Sequence, residues 1–294
     1  MRIFMILSVL LTLAGACQKK AHTDQKYRIA VSVMPQNYFI QRLRPETAVM
    51  IMIPSDYSHE SYEPLPDQMR TLSQLELYIG LGATMFETHW VPKFQELNPK
   101  MKYHNQSVNV NPLVGHHHDE IDNLETSHQM SGKSIDPHYW LSPKRVKRFL
   151  PELAKELIGM FPEDSMAVET RLKELLHEID SIDYTIETKF SAKTKRVFLV
   201  FHPAWTYLAE DYGLEQIAIE NEGKEPSPTH LAEIIESAKQ NKIRAIFAQK
   251  QFDQQIAHSL AEELHIQIIA LDPLAENWLE TIRIMTDKIA ESMD

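Results

Sequence analysis

The sequence predicts an α/β fold with two lobes, each built on a mostly parallel sheet flanked by helices and joined by one long rigid backbone helix. Short apolar runs rich in Val and Ile alternate with longer stretches of helical periodicity, which is typical of βα units. These runs form two groups, one on each side of a long helical pattern with no internal Gly or Pro. A chain of 294 residues is long enough for two such lobes.

The first residues have the layout of a secretory signal peptide, because an apolar run from Ile3 to Ala16 follows Arg2 and ends in small residues. Cys17 comes next, and the residues before it are similar to a bacterial lipobox, although Leu is usual where this chain has Ala14. We expect residues 1–17 to be a signal peptide with a lipidated Cys17, and residues 18–26 to be a polar tether. The alternative is an ordinary cleaved signal with an incidental cysteine.

The N-terminal lobe is expected over residues 27–161. Its apolar runs predict strands at 27–33, 47–53 and 75–81. Within this lobe, residues 115–134 are polar, rich in His and without periodicity, so we expect a mobile surface loop there.

Residues 162–190 are predicted to form the linking helix, because apolar side chains such as Leu175, Ile179 and Ile182 recur at steps of three and four. A continuous helix of this length makes a stiff strut and limits domain closure. The C-terminal lobe is expected over residues 191–294. Its predicted strands are 196–201, 215–219, 245–248 and 266–271.

Four residues lie where an α/β sheet presents ligands, directly after apolar strands or at the start of the next helix: His59, His138, His202 and Asp272. Three imidazoles and one carboxylate form a set suited to zinc, whereas calcium and magnesium prefer mostly oxygen ligands. Single histidines at loop starts are also commonly plain hydrogen-bonding residues, so the residue pattern alone leaves both interpretations open.

Three segments resemble one protein family over nearly the whole mature chain, the periplasmic solute-binding proteins of zinc and manganese ABC importers. The segments are Asp136-Pro137-His138-Tyr139-Trp140-Leu141-Ser142-Pro143, Phe201-His202-Pro203-Ala204-Trp205 and Glu222-Gly223-Lys224-Glu225-Pro226-Ser227-Pro228. The resemblance implies two α/β lobes with metal between them, ligated by His59, His138 and His202 and completed by Asp272 or water. Manganese members generally have Glu where this chain has His202, which favours zinc.

The resemblance also implies a role in the cell. We expect a lipid-anchored monomer on the periplasmic or cell-surface side of a bacterial membrane that delivers Zn²⁺, its cargo, to an ABC permease and performs no catalysis. Zinc members often carry a His-rich insert before the second ligand, as His116, His117 and His118 precede His138 here. These three histidines are either an auxiliary metal-capture site or a solvated loop without a role.

Two alternatives to zinc capture stay open: the same role with Mn²⁺ or Fe²⁺ as cargo, and a surface adhesin on the same fold. A secreted zinc hydrolase is disfavoured, because the chain has no H-E-x-x-H segment and four protein ligands would leave no position for water. A formal net charge of -11 disfavours nucleic acid as a partner. Four acids are candidates to orient a ligand imidazole: Glu60, Glu63, Glu220 and Glu222.

Overall fold

The computed structural model describes residues 27–58, 61–82, 84–110, 136–220, 226–252 and 255–293. Within these ranges the chain forms two parallel four-stranded sheets flanked by helices, which confirms the predicted fold class. In the same ranges, no helix is both long and apolar enough to cross a membrane.

The first sheet is parallel throughout and has the strand order β2-β1-β3-β4. Its strands are β1 (Ile29–Val31), β2 (Val49–Ile51), β3 (Leu77–Gly80) and β4 (Lys102–Asn105). The helices of this half are α1 (Met34–Leu43), α2 (Pro66–Leu72), α3 (Met85–Leu97) and α4 (Pro143–Met160). The sequence did not predict β4, because this edge strand is polar and only half-buried and therefore lacks an apolar run.

The second sheet repeats the same arrangement, with the strand order β6-β5-β7-β8. Its strands are β5 (Val197–Val200), β6 (Glu215–Ala218), β7 (Ala245–Ala248) and β8 (Gln267–Ala270). Its helices are α6 (Thr206–Tyr212), α7 (Pro228–Asn241), α8 (Gln255–Leu264) and α9 (Trp278–Glu291). In both sheets the strand order reverses beside the first strand of the set, and ligands bind α/β sheets at the carboxyl edge of such a switch point.

The long helix between the sheets, α5, spans Ser165–Ser191 and follows a 3₁₀ turn at Pro162–Asp164. Its 27 residues extend over about 40 Å. It packs against α1 and α4 on one side of the molecule and against α6 and α9 on the other. Its apolar stripe joins a hydrophobic core that continues through both halves of the chain. This helix confirms the predicted connection between the lobes.

Buried polar contacts also join the two lobes directly. The indole Nε1 of Trp140, ahead of α4, donates to the carbonyl oxygen of Pro273 at 3.0 Å. Trp278, at the start of α9, donates in turn to the carbonyl oxygen of Trp140 at 2.6 Å. Arg145 of α4 makes two hydrogen bonds of 2.8 Å to the carboxylate of Asp211 in α6. Because these groups are almost fully buried, their geometry fixes the lobes against each other.

The buried carboxylate of Glu87, in the first turn of α3, organises the carboxyl edge of the first sheet. It accepts hydrogen bonds from the backbone N–H groups of Leu81 and Gly82, just after β3, and from the hydroxyls of Ser32 and Tyr103. Gly82 has φ +97°, and a Cβ there would lie 1.9 Å from the Asn105 side chain. The carboxyl ends of β1 and β3 are therefore held by a dense polar network.

Removing the buried cation of the inter-lobe contact tests how much it stabilises the protein. Arg145→Met leaves Asp211 as a buried charge without its bidentate partner, so the free energy of unfolding should fall by about 3 kcal/mol in chemical denaturation. The control is Lys155→Met, which removes an exposed cation paired within α4 and should change stability by less than about 0.5 kcal/mol. Equal effects of the two substitutions would contradict this role for Arg145.

The buried carboxyl of Glu87 leads to a second prediction, which concerns how stability depends on pH. Burial raises the pKa of the Glu87 carboxyl above its ordinary value of 4.5. The folded state therefore binds a proton more readily than the unfolded state, and wild-type stability gains as pH falls through the folded pKa towards 4.5. The Glu87→Gln variant has no carboxyl to protonate at this position, so it does not gain this stability. The stability difference between the two proteins, measured by denaturation at about pH 7.5 and about pH 5, should shift in favour of wild type at the lower pH. A constant difference would contradict this assignment.

Candidate metal centre

His138 is held at the first lobe by the residue two positions before it. Asp136 Oδ1 accepts the backbone N–H of His138 at 2.8 Å and also lies 2.8 Å from the ring Nδ1. An ionised carboxylate can only accept, so the ring nitrogen donates and the proton resides on Nδ1. That tautomer leaves the lone pair on Nε2, the arrangement found in metal-ligating histidines. His138 is 6% exposed, which places the ring inside the protein.

His202 occupies the matching place in the second lobe, two residues after β5. Its Nδ1 lies 3.1 Å from Oε1 of Glu220, which follows β6, the neighbouring strand. The same reasoning puts the proton on Nδ1 and the lone pair on Nε2. Phe252 stacks on the imidazole with a centroid distance of 4.4 Å and an interplanar angle of 19°. Strand β5 sets the position of this ring, while Glu220 and Phe252 set its orientation.

The two imidazoles meet across the cleft between the lobes. The ring centroids of His138 and His202 are 5.1 Å apart. A tetrahedral zinc ion with Zn–N bonds of about 2.0–2.1 Å places the centroids of two ligating rings about 5 Å apart. The pair therefore has the separation that one shared metal ion requires.

A small cavity lies at this pair and is bounded by both lobes. The first half of the chain contributes Tyr57, Ser58, His138 and Trp140, and the second half contributes His202, Gln249, Gln251, Phe252, Pro273 and Leu274. Most of these residues follow the carboxyl ends of strands, as expected for a ligand site in an α/β fold. The walls combine aromatic surface with a few polar groups, which is typical of a small-ligand site.

Asp272, the predicted carboxylate ligand, lies beside the cavity between two lining residues of the second lobe. Its Oδ1 accepts from the backbone N–H of Leu274 at 3.1 Å and from Gln251 Nε2 at 3.2 Å. Its Oδ2 lies 3.2 Å from the ammonium of Lys250. The structure thus brings His138 and His202 together and places Asp272 at the rim of the same site.

Several predicted site residues lie outside the described residues: His59, the triad His116, His117 and His118, the lipidation residue Cys17, and the acids Glu60 and Glu222. Among the residues that are described, no group of three or more His, Cys, Asp or Glu side chains is arranged to hold a metal ion. The assignment of His59, His138, His202 and Asp272 as a ligand set therefore stays a prediction.

The structure identifies orienting groups that the sequence alone left open or missed. Of the four candidate acids, Glu220 contacts the imidazole of His202, while Glu63 is exposed. Asp136 belongs to the segment that resembles the family, but the sequence analysis gave it no role. Its position two residues before His138 is the spacing of an Asx turn, which is a signal for this contact. No sequence pattern indicated the contact of Phe252 with His202. The two residues are 50 positions apart, and only the folding of the second lobe brings them together.

Comparison with known proteins points to one family. A sequence profile of the ZnuA family, described as zinc-uptake complex component A, periplasmic, matches residues 29–292. A solved structure of ZnuA superimposes with a TM-score of 0.82 and 34% sequence identity, covering 90% of this chain and 98% of that one.

Two curated relatives show the range of this similarity. The zinc-binding lipoprotein AdcA of Streptococcus pneumoniae strain R6 is 28% identical over 264 residues, which are 88% of this chain and 52% of AdcA. The chain therefore spans about half the length of AdcA. The manganese ABC transporter substrate-binding lipoprotein PsaA of Streptococcus anginosus is 24% identical over 310 residues, covering 98% of this chain and 96% of PsaA.

The carboxylates behind the two imidazoles give a prediction for metal binding. Asp136→Asn and Glu220→Gln each weaken the hydrogen bond that holds the Nδ1 proton and the ring orientation, so each should lower the affinity for Zn²⁺ about 10- to 100-fold in a competition titration. The matched control is Glu174→Gln, which changes an exposed acid of α5 and should leave the affinity unchanged. Wild-type affinity in both cleft variants would show that these carboxylates do not orient metal ligands.

Proposed function

Since this chain belongs to the ZnuA family of periplasmic zinc-uptake components, we propose that it is an extracytoplasmic solute-binding protein that captures Zn²⁺ between its lobes and delivers it to an ABC permease. The observation that carries the proposal is the pairing of His138 and His202, which come from different lobes and have ring centroids 5.1 Å apart. A site between two domains, with a few convergent polar groups in an apolar wall, is the usual place for a small ligand.

In this proposal the cargo is held by His59, His138, His202 and Asp272. Three imidazole nitrogens and one carboxylate oxygen satisfy the tetrahedral preference of zinc. The carboxylates of Asp136 and Glu220 keep the two described rings in the required tautomer before the ion arrives. Because the lobes are fixed by buried contacts, little conformational entropy is lost when the ion binds, which supports high affinity.

The choice of cargo rests on ligand chemistry. Nitrogen ligands bind Zn²⁺ more strongly than Mn²⁺, following the general order of divalent affinities. Mn²⁺ is the alternative cargo, and the observation in its favour is the similarity to PsaA, a manganese ABC transporter lipoprotein. The competition between these two ions is therefore part of the test.

The cellular setting of the proposal follows from the relatives and the first residues. AdcA and PsaA are both lipoproteins, which supports lipidation of Cys17 and attachment to the outer face of a membrane. The family model describes a zinc-uptake component, AdcA is named a zinc-binding lipoprotein and PsaA a substrate-binding lipoprotein of an ABC transporter, so we infer that this chain performs no chemical step on its cargo.

The proposal predicts one tight zinc site that depends on the cleft histidines. The metal-free protein, titrated with Zn²⁺ and then Mn²⁺ against a chromophoric chelator, should bind one zinc ion tightly and manganese at least about 100-fold more weakly. The triple change His59→Ala, His138→Ala and His202→Ala should abolish the tight site. Unchanged circular dichroism would show that the fold is kept.

A matched control separates the cleft from histidine content in general. His89, His177 and His258 are exposed on three different helices, and their triple replacement by Ala should leave the tight site unchanged. A tight zinc site in the cleft variant would overturn the proposed ligand set. Preferential binding of manganese by wild type would transfer the proposal to the alternative cargo.

A further inference from the structure

The mouth of the cleft is bridged by two consecutive residues that follow β7. The ammonium of Lys250 lies 2.8 Å from Asp56 Oδ1 in the first lobe and 3.2 Å from Asp272 Oδ2 in the second. Gln251 Nε2 donates to the carbonyl oxygen of Ser55 at 2.7 Å and to Asp272 Oδ1 at 3.2 Å. Both bridges connect the segment before His59 to Asp272, the predicted carboxylate ligand.

The two oxygens of Asp272 are not held in the same way. Oδ1 accepts from a backbone N–H and from an amide, neutral donors that remain useful when a carboxylate also binds a metal. Oδ2 is held by a cation, the Lys250 ammonium. A metal ion on the same carboxylate would lie within a few ångströms of this positive charge, so the two cations repel each other and compete for one anion.

We propose that Lys250 is a built-in counter-cation that occupies Asp272 in the absence of cargo and is displaced when the metal ion binds. This inference rests on the proposed function, because it assigns a role only if Asp272 ligates the cargo. When the ion arrives, Asp272 gives up Lys250 and keeps its bonds to Leu274 and Gln251, while Lys250 retains Asp56 as its partner.

The displacement has a consequence for cargo binding. Zinc must overcome the Lys250 contact, so Lys250 lowers the affinity below the value that the ligand set would otherwise give. When the metal ion leaves, the Lys250 ammonium pairs again with the Asp272 carboxylate, which favours release of the ion. Lys250 is half-exposed and its contact is partly screened by solvent, so the effect is a moderate adjustment of affinity.

The test is a double-mutant cycle on zinc affinity at about 0.15 M salt, which screens long-range effects of charge. Lys250→Met should tighten zinc binding about three- to tenfold, whereas Lys250→Arg, which keeps the charge, should bind no tighter than wild type. Asp272→Asn should weaken binding. In a protein that already carries Asp272→Asn, Lys250→Met should change the zinc affinity by less than about twofold. Position 272 then has no carboxylate for which Lys250 and the metal ion could compete.

The matched control is Lys147→Met. Lys147 also bridges two carboxylates, Asp180 at 2.8 Å and Asp183 at 2.7 Å, but it joins α4 to α5 away from the cavity. Its removal changes the net charge by the same amount and should leave zinc affinity at the wild-type value. A gain in affinity equal to that of Lys250→Met would attribute the effect to overall charge and overturn the inference.

The remaining outcomes separate this inference from the proposed function. A tight zinc site in wild type with unchanged or weaker binding in Lys250→Met overturns the counter-cation and leaves zinc capture standing. Wild-type affinity in Asp272→Asn also overturns it, because Asp272 is then not a ligand. Absence of any tight site in wild type overturns both.

Discussion

The fixed position of one lobe against the other is the constraint on which the site depends. His138 and His202 belong to different lobes, so the distance between their rings depends on the relative position of the lobes. Buried hydrogen bonds from Trp140 to the second lobe and the bidentate contact between Arg145 and Asp211 fix that relative position. These contacts lie in a region that excludes water, where paired polar groups are strongly directional and costly to separate. The lobes therefore present their imidazoles in a nearly constant geometry.

Within that frame, each imidazole is oriented by a carboxylate of its own lobe. Asp136 acts on His138 through a local turn, and Glu220 acts on His202 across two neighbouring strands. The two arrangements differ in sequence but have the same chemical effect, since both leave the lone pair of the imidazole on Nε2. Phe252 adds an apolar cover to one ring, which limits water around the site. A rigid frame combined with pre-set tautomers is what a protein needs to hold a small cation tightly without catalysing a reaction.

The interior and the mouth of the cleft have different electrostatic character. The imidazole pair is buried, whereas Lys250, Asp56 and Asp272 lie at a half-exposed rim where solvent screens charge. In the proposed function, the strength of binding comes from the buried interior, and the rim adjusts the affinity. The contacts of Lys250 with Asp56 and of Gln251 with Ser55 also join the lobes at this rim. The proposed displacement keeps both of them and gives up only the Lys250–Asp272 contact, which lies within the second lobe.

The sequence by itself determined the α/β class, seven of the eight strands of the described residues, the long helix, and the placement of His138, His202 and Asp272 at strand ends or helix starts. These features depend on periodicity and on turn residues, which are local and can be detected within a short window of sequence. Only the tertiary structure decided that polar β4 pairs at a sheet edge, and which acid orients His202. It also decided that Lys250 faces Asp272. Those contacts join residues 18 or more positions apart, and their energies depend on burial and distance, which no local pattern records.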